Sequence, residues 1–270
     1  MTRRMAQPPP LKLDPGSVTL AELRRVHQGV ATLALHPHVY PPIEASRAVI
    51  QGIVDRDTVV YGVNTGFGKL AQTRIAHERL AELQRNLVLS HCTGVGAPLT
   101  DGVVRLVLAT KAISLARGHS GIRGDIVDAL LALANADVLP RIPSKGSVGA
   151  SGDLAPLAHL AAVLIGEGEV SVRGEVMTGA EGLRRAGLMP FVLGPKEGLA
   201  LLNGTQVSTA LALSALFDAE NVFAAALVAG ALSLEAIRGS LRPLDPRIHA
   251  ARGQPGQIVV AEALRSLLDG

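Results

Sequence analysis

A mainly α fold is what this sequence predicts: an N-terminal helical domain with a few short strands, leading into the start of a long-helix bundle. Three observations carry that expectation. Aromatic residues make up only 2% of the 270 and tryptophan is absent, so a core must be built from Ala, Leu, Val and Ile, side chains that suit close-packed helices. Apolar residues recur at helical spacing, as at Ile126, Leu130, Leu131 and Leu133. Over residues 208–238, Leu, Val and Ala cover most of a helix's circumference, the pattern of a fully buried helix. A hydrophobic share of 48% and a mean hydropathy of +0.32 supply ample core material and exclude disorder.

Taken in order, residues 1–17 read as a loose arm, because Pro8-Pro9-Pro10 and Pro15-Gly16 discourage regular structure. Ser17 or Thr19 can accept from the open amides of a helix that runs to His27. His36-Pro37-His38 and Pro41-Pro42 break the chain before a second helix over 43–55. Val59-Val60-Tyr61 then leads into a glycine-rich loop. Helices are expected over 75–91, 100–116 and 125–134, closed by Pro140 and Pro143. Another covers 153–165, with Asp153 at its cap and Pro156 in its first turn, where a missing N–H costs least. Residues 169–177 alternate apolar and polar about Arg173-Gly174, as a surface hairpin does. After the long helix, Pro243, Pro246, Pro255 and Gly256 interrupt the chain before a last short helix near Val259. The domain boundary expected from this pattern separates 1–207 from 208–270. No repeat on the scale of a solenoid unit is present.

The net charge of +3 is small and its acids and bases are interleaved. No aromatic-plus-basic pattern would stack bases and hold phosphates, so nucleic acid is not an expected partner. Cys92 is the only cysteine; it allows no internal disulfide and no multi-cysteine metal site, and it fits a reducing compartment. Arg3-Arg4 has no apolar stretch behind it, so no secretory signal is read and a cytoplasmic location is expected. Residues 198–217 lack charge and are long enough to span a bilayer. Asn203, Thr205, Gln206, Ser208, Thr209 and Ser214 dilute that run, and no membrane partner is expected. His36-Pro37-His38 gathers no further ligand, so no metal is expected. Gly66-Phe67-Gly68-Lys69 fails as a phosphate loop, since Leu70 follows the lysine and Val63 replaces the first glycine.

The chemistry concentrates in three blocks. Ala150-Ser151-Gly152 sits in the frame Gly146-Ser147-Val148-Gly149-Ala150-Ser151-Gly152-Asp153-Leu154; the others are Tyr61-Gly62-Val63-Asn64-Thr65-Gly66-Phe67-Gly68 and Leu201-Leu202-Asn203-Gly204-Thr205-Gln206. If the Gly152 nitrogen attacks the Ala150 carbonyl carbon and two waters leave, Ser151 becomes the exocyclic methylidene of an imidazolone, an electrophile no ordinary side chain offers. Small residues favour this, since Gly152 brings no Cβ to obstruct the approach. Together the blocks resemble the histidine ammonia-lyases of the aromatic amino-acid lyase family, over nearly the whole chain from about Val60 onward.

That resemblance implies non-oxidative deamination of L-histidine to urocanate and ammonia, with 4-methylidene-imidazol-5-one made from Ala150, Ser151 and Gly152 as the only cofactor. It implies Tyr61 as base for the β-proton, with Gly68, His91 and Asn203 binding the substrate, His91 facing its side chain and Asn203 holding its amine or the ring carbonyl. A helix starting at Asp153 would polarise the ring oxygen through its open amides. A small amino acid is the expected partner, and a homotetramer with shared active sites is implied. Tyrosine or phenylalanine ammonia-lyase, or a 2,3-aminomutase, stays open within the same chemistry. Family members are longer, and their remaining part supplies a further tyrosine and a carboxylate-binding arginine. An inactive helical assembly fragment is therefore the reading from another class.

Overall fold

The computed structural model describes residues 9–66 and 75–269. Leu11–Leu13 (β1) pairs in parallel with Leu33–Leu35 (β2). The expected loose arm is thus corrected after Pro10: Leu11 and Leu13 alternate inward around an exposed Lys12, and the β2 edge takes up their backbone groups. Between the strands, Leu20–His27 (α1) opens with a capping box. Thr19 Oγ1 accepts from the Glu22 amide at 3.3 Å, and the Glu22 carboxylate accepts from the Thr19 amide at 2.8 Å. Tyr40–Asp55 (α2) starts before the expected 43–55 helix, because Pro41 and Pro42 fall in the first turn, where their missing N–H groups are harmless.

A 3₁₀ turn at His77–Arg79 precedes Leu80–His91 (α3), and Val95–Pro98 (β3) follows. The centre of the first unit is built by Asp101–Leu115 (α4) and Gly124–Asn135 (α5), which bury Leu106, Leu108, Leu115, Ile126 and Leu130 almost completely. Val138–Pro140 (β4) and Pro143–Lys145 (β5) then flank Ile142, and β5 pairs antiparallel with β3. Leu154–Leu164 (α6) is apolar apart from His159 and mostly buried. Glu169–Val172 (β6) and Glu175–Thr178 (β7) form the expected hairpin, its two-residue turn at Arg173 (φ 52) and Gly174 (φ 84), and β4 adds a third strand in the order β4-β6-β7. Gly179–Arg185 (α7), Glu197–Leu202 (α8) and Gln206–Ala236 (α9) complete the series.

The chain divides into two units, Met1–Ala212 and Leu213–Gly270. In the second, Pro246–Arg252 (α10) is capped by Asp245, which also holds Arg247 at 2.6 Å, and Pro255–Leu267 (α11) follows. That last helix begins at Pro255 rather than near Val259, since a proline fits the first helical position.

The expectation of a fully buried helix over 208–238 is overturned. Leu211, Leu216, Val222, Phe223, Val228 and Leu232 of α9 are exposed. An apolar circumference needs cover on every side, and along this helix only Gln206, Val207, Ala210, Phe217 and Ala231 are buried. By length and composition alone α9 could cross a membrane, with a mean hydropathy of 1.6 over its most apolar stretch. Asp218, Glu220 and Asn221 at its middle are costly at the centre of a bilayer.

Candidate active site

Strand β5 delivers the chain into the glycine-rich frame and α6 takes it away, so the Ala150-Ser151-Gly152 loop is braced at both ends by short stiff elements. Ala150 and Ser151 are exposed and Gly152 is half-buried. Gly152 adopts φ +104 and forms an isolated parallel bridge with Gly204. A Cβ on Gly152 would lie 2.5 Å from the Gly204 carbonyl oxygen and 2.9 Å from its nitrogen, so only glycine fits. This is a cradle suited to a main-chain cyclisation at that residue.

Asp153 is the N-cap residue of α6, as the sequence suggests, but its side chain makes no capping bond to that helix and serves to lock the loop in place. Its carboxylate instead accepts from the Ser147 hydroxyl (2.7 Å), the Ser208 hydroxyl (2.6 Å) and the Ser208 amide (2.8 Å). The acceptor therefore ties the loop to the first turn of α9, where open amides attract negative charge. Burial works to raise the Asp153 pKa, but bonds from Ser208, Ser147 and the Val207 amide outweigh it and hold the carboxyl below its ordinary value. Its own amide donates to the Gly204 carbonyl at 2.7 Å.

Asn203 ends α8, directly before Gly204, and thus belongs to the wall on which Gly152 rests. Its carbonyl oxygen accepts a 2.6 Å hydrogen bond from Lys111 Nζ. Lys111 lies on the buried face of α4, is 1% exposed, and burial pushes its pKa down to about 7. Sequence reasoning missed it. The available signal was one lysine among Val103, Val104, Leu106, Val107, Leu108, Ala109, Ala112 and Leu115, on a face where charge is rarely tolerated. The Gln206 Oε1 atom beside this turn is buried without a hydrogen-bond partner.

His91 stands at the C-terminal end of α3. Its Nδ1 lies 2.8 Å from the Leu87 carbonyl oxygen, which only accepts, so Nδ1 carries the proton and Nε2 keeps a lone pair when the ring is neutral. The following segment is joined to the loop: β3 pairs with β5, Gly94 packs on Gly146, and the Gly94 amide donates to His159 Nε2 on α6 at 3.1 Å. Burial lowers the pKa of His159, in keeping with an acceptor nitrogen.

Tyr61 is 55% exposed, on a turn whose anchor lies elsewhere. Val63 packs with Val54 and Leu80, and Asn64 fastens the turn by accepting from the Val60 amide and donating to the Thr58 carbonyl. Its anchor is thus the start of α3, whereas His91 ends that helix roughly 16 Å farther along. Ala150, Ser151, Gly152 and Asn203 are brought together directly, His91 is joined to them through β3, and Tyr61 is seated on a separate cluster. Gly68 lies outside the described residues. Among the described residues no group of three or more His, Cys, Asp or Glu side chains could hold a metal.

Against known proteins, the family model described as aromatic amino acid lyase matches residues 18–270. The chain belongs to that family. Within the aromatic amino acid lyases it is 68% identical to the histidine ammonia-lyase of Paracidovorax citrulli, over 98% of this chain and 52% of that protein. It is 62% identical to the histidine ammonia-lyase of Rhodospirillum rubrum, over 97% and 51% respectively. Among solved lyase-family structures, histidine ammonia-lyase from Trypanosoma cruzi superposes with a TM-score of 0.87 at 41% identity, covering 94% of this chain and 50% of that one. Tyrosine aminomutase from Streptomyces globisporus gives 0.90 at 36%, covering 97% and 49%. The chain spans about half the length of the curated relatives it matches. The mainly helical fold expected from composition is the fold these relatives share.

Proposed function

We propose that this chain carries the electrophile-forming half of an ammonia-lyase that converts L-histidine to trans-urocanate and ammonia. The observation that carries the reading is Gly152, held without a Cβ against Gly204 in a tripeptide of small residues. Ring closure joins the Gly152 nitrogen to the Ala150 carbonyl carbon and expels that oxygen as water; Ser151 then loses its Cα hydrogen and its hydroxyl as a second water. Once formed, the 4-methylidene-imidazol-5-one group supplies an electrophilic carbon that makes loss of ammonia and removal of the β-hydrogen easier.

Several residues of this chain contribute around that group. Tyr61 takes the β-proton, the His91 Nε2 lone pair faces the substrate's side chain, Asn203 holds the amine or the ring carbonyl, and Gly68 gives the substrate room. Asp153 keeps the loop registered on α9, and the start of α6 favours negative charge on the ring oxygen. We keep the functional boundary at 207/208, within α9 and just before the 212/213 division of the two units, and the exposed α9 is the surface through which copies assemble, as a cytoplasmic homotetramer with shared sites. Neither a metal nor an external cofactor is needed.

Intact-mass measurement of the folded full-length protein tests the central step. The expected mass is two waters below that of the unmodified polypeptide, and Ser151→Ala abolishes the difference; an unmodified mass in active, folded enzyme defeats the proposal. The likeness to tyrosine aminomutase favours a second reading, in which L-tyrosine is deaminated or isomerised. The higher identity to histidine ammonia-lyases supports the first. Turnover of L-tyrosine but not L-histidine would reverse the order.

A further inference from the structure

We propose that Lys111 is a positioning residue for the reaction: through the Asn203 carbonyl it holds the Asn203–Gly204 peptide against Gly152 while the ring closes. This rests on the ring-forming reading of Ala150, Ser151 and Gly152 given above.

A single peptide unit makes the argument. Its carbonyl end, the oxygen of Asn203, is held by Lys111 Nζ at 2.6 Å. Its nitrogen end, Gly204 N, lies 2.9 Å from where a Cβ of Gly152 would sit. Turning that unit about its long axis therefore changes the surface on which Gly152 rests, and the bond from Lys111 opposes such a turn. The flanking groups have other partners: the Asn203 amide donates to the Leu199 carbonyl at 3.0 Å, and the Gly204 carbonyl accepts from the Asp153 amide at 2.7 Å. Beside the Gly152–Gly204 bridge, Lys111 adds a constraint on the carbonyl end, at the C-terminal end of α8 where carbonyls lack helical partners.

Stability does not call for a lysine here. The residue is 1% exposed, on a helix face otherwise lined by Val, Leu and Ala, and desolvating an amine costs more than one carbonyl bond returns. A methionine of similar length would fill the same space without that penalty. Burial pushes the amine's pKa down to about 7, and the bond tolerates this, because neutral amine and ammonium both donate to a carbonyl.

The test uses the full-length enzyme. Wild type is first shown by intact mass to lose two waters; if it does not, the ring-forming reading fails on its own account and takes this proposal with it. With wild type modified, Lys111→Met is expected to keep the wild-type circular dichroism while accumulating the ring at least about tenfold more slowly after synthesis, a barrier change of roughly 1.4 kcal/mol. Lys111→Arg, which retains a donor, is expected to recover most of that rate. A folded Lys111→Met that matures at the wild-type rate overturns the proposal. Should Lys111→Met not fold, Lys111→Arg decides: folded and matured supports the role, folded and unmodified refutes it.

Discussion

Two glycines meet where the ring is to form, and neither tolerates a side chain. Gly152→Ala would place a methyl 2.5 Å from the Gly204 carbonyl at a φ of +104, so the loop must move off its wall. The expected result is a folded protein whose mass shows no loss of water, read by mass spectrometry beside wild type. Asp153 governs the same contact through charge. Its carboxyl is held below its ordinary value in the folded state, so its stabilisation is fully present above the unfolded carboxyl's pKa and is lost as pH falls through the depressed folded value. Asp153→Asn removes a charged acceptor from Ser147 and Ser208, at a cost of about 1.5–3 kcal/mol near neutrality. The deficit should shrink as pH is lowered through the acid range, measured as the urea midpoint against pH. A deficit unchanged by acid would show that Asp153 acts through packing alone.

At the scale of elements, the short helix α8 matters because it carries Asn203 at its end. Six residues are too few for a helix to persist without tertiary partners. Glu197 supplies one of them: 3% exposed, it accepts from Arg123 Nε at 2.8 Å and from the Gly194 amide at 2.6 Å. Glu197→Ala leaves the partly buried Arg123 guanidinium with the Val192 carbonyl and Asp125 at 3.8 Å, and should cost about 1–3 kcal/mol, read as a lower denaturant midpoint, whereas Glu197→Gln, keeping an acceptor, should cost less. The elements themselves were largely legible in the sequence, and for physical reasons. Apolar periodicity marks α4 and α5, and Arg173-Gly174 marks the hairpin turn, because local conformational preference and tertiary burial agree there. The β1 strand was hidden behind its prolines, since its stability comes from Leu33–Leu35 on a distant segment. Asp153 does cap the helix beside it in sequence, but its side chain takes its donors from Ser147 and, 55 residues on, from Ser208. Of the site, the tripeptide stood out only in its glycine-rich frame beside the other two blocks, through the family they resemble. Lys111 did not stand out, because its role depends on a carbonyl 92 residues away.

Over the whole molecule, the unsolved balance is the apolar surface of α9. Val222, Phe223, Val228 and Leu232 are all exposed within about three turns of the helix, and apolar side chains gathered in this way on a surface mark an association face. Asp218 and Glu220 interrupt the apolar run near its middle, which suits burial against other helices better than burial in lipid. The 270-residue chain on its own is therefore expected to associate, giving a light-scattering mass above that of a single 28.0 kDa copy and showing little or no turnover of L-histidine. Replacing Val222 and Phe223 by serine should lower that mass without altering helix content, because both side chains face solvent and support no core. If the substituted chain associates as strongly as the parent, the driving surface lies elsewhere and α9 is not the assembly face.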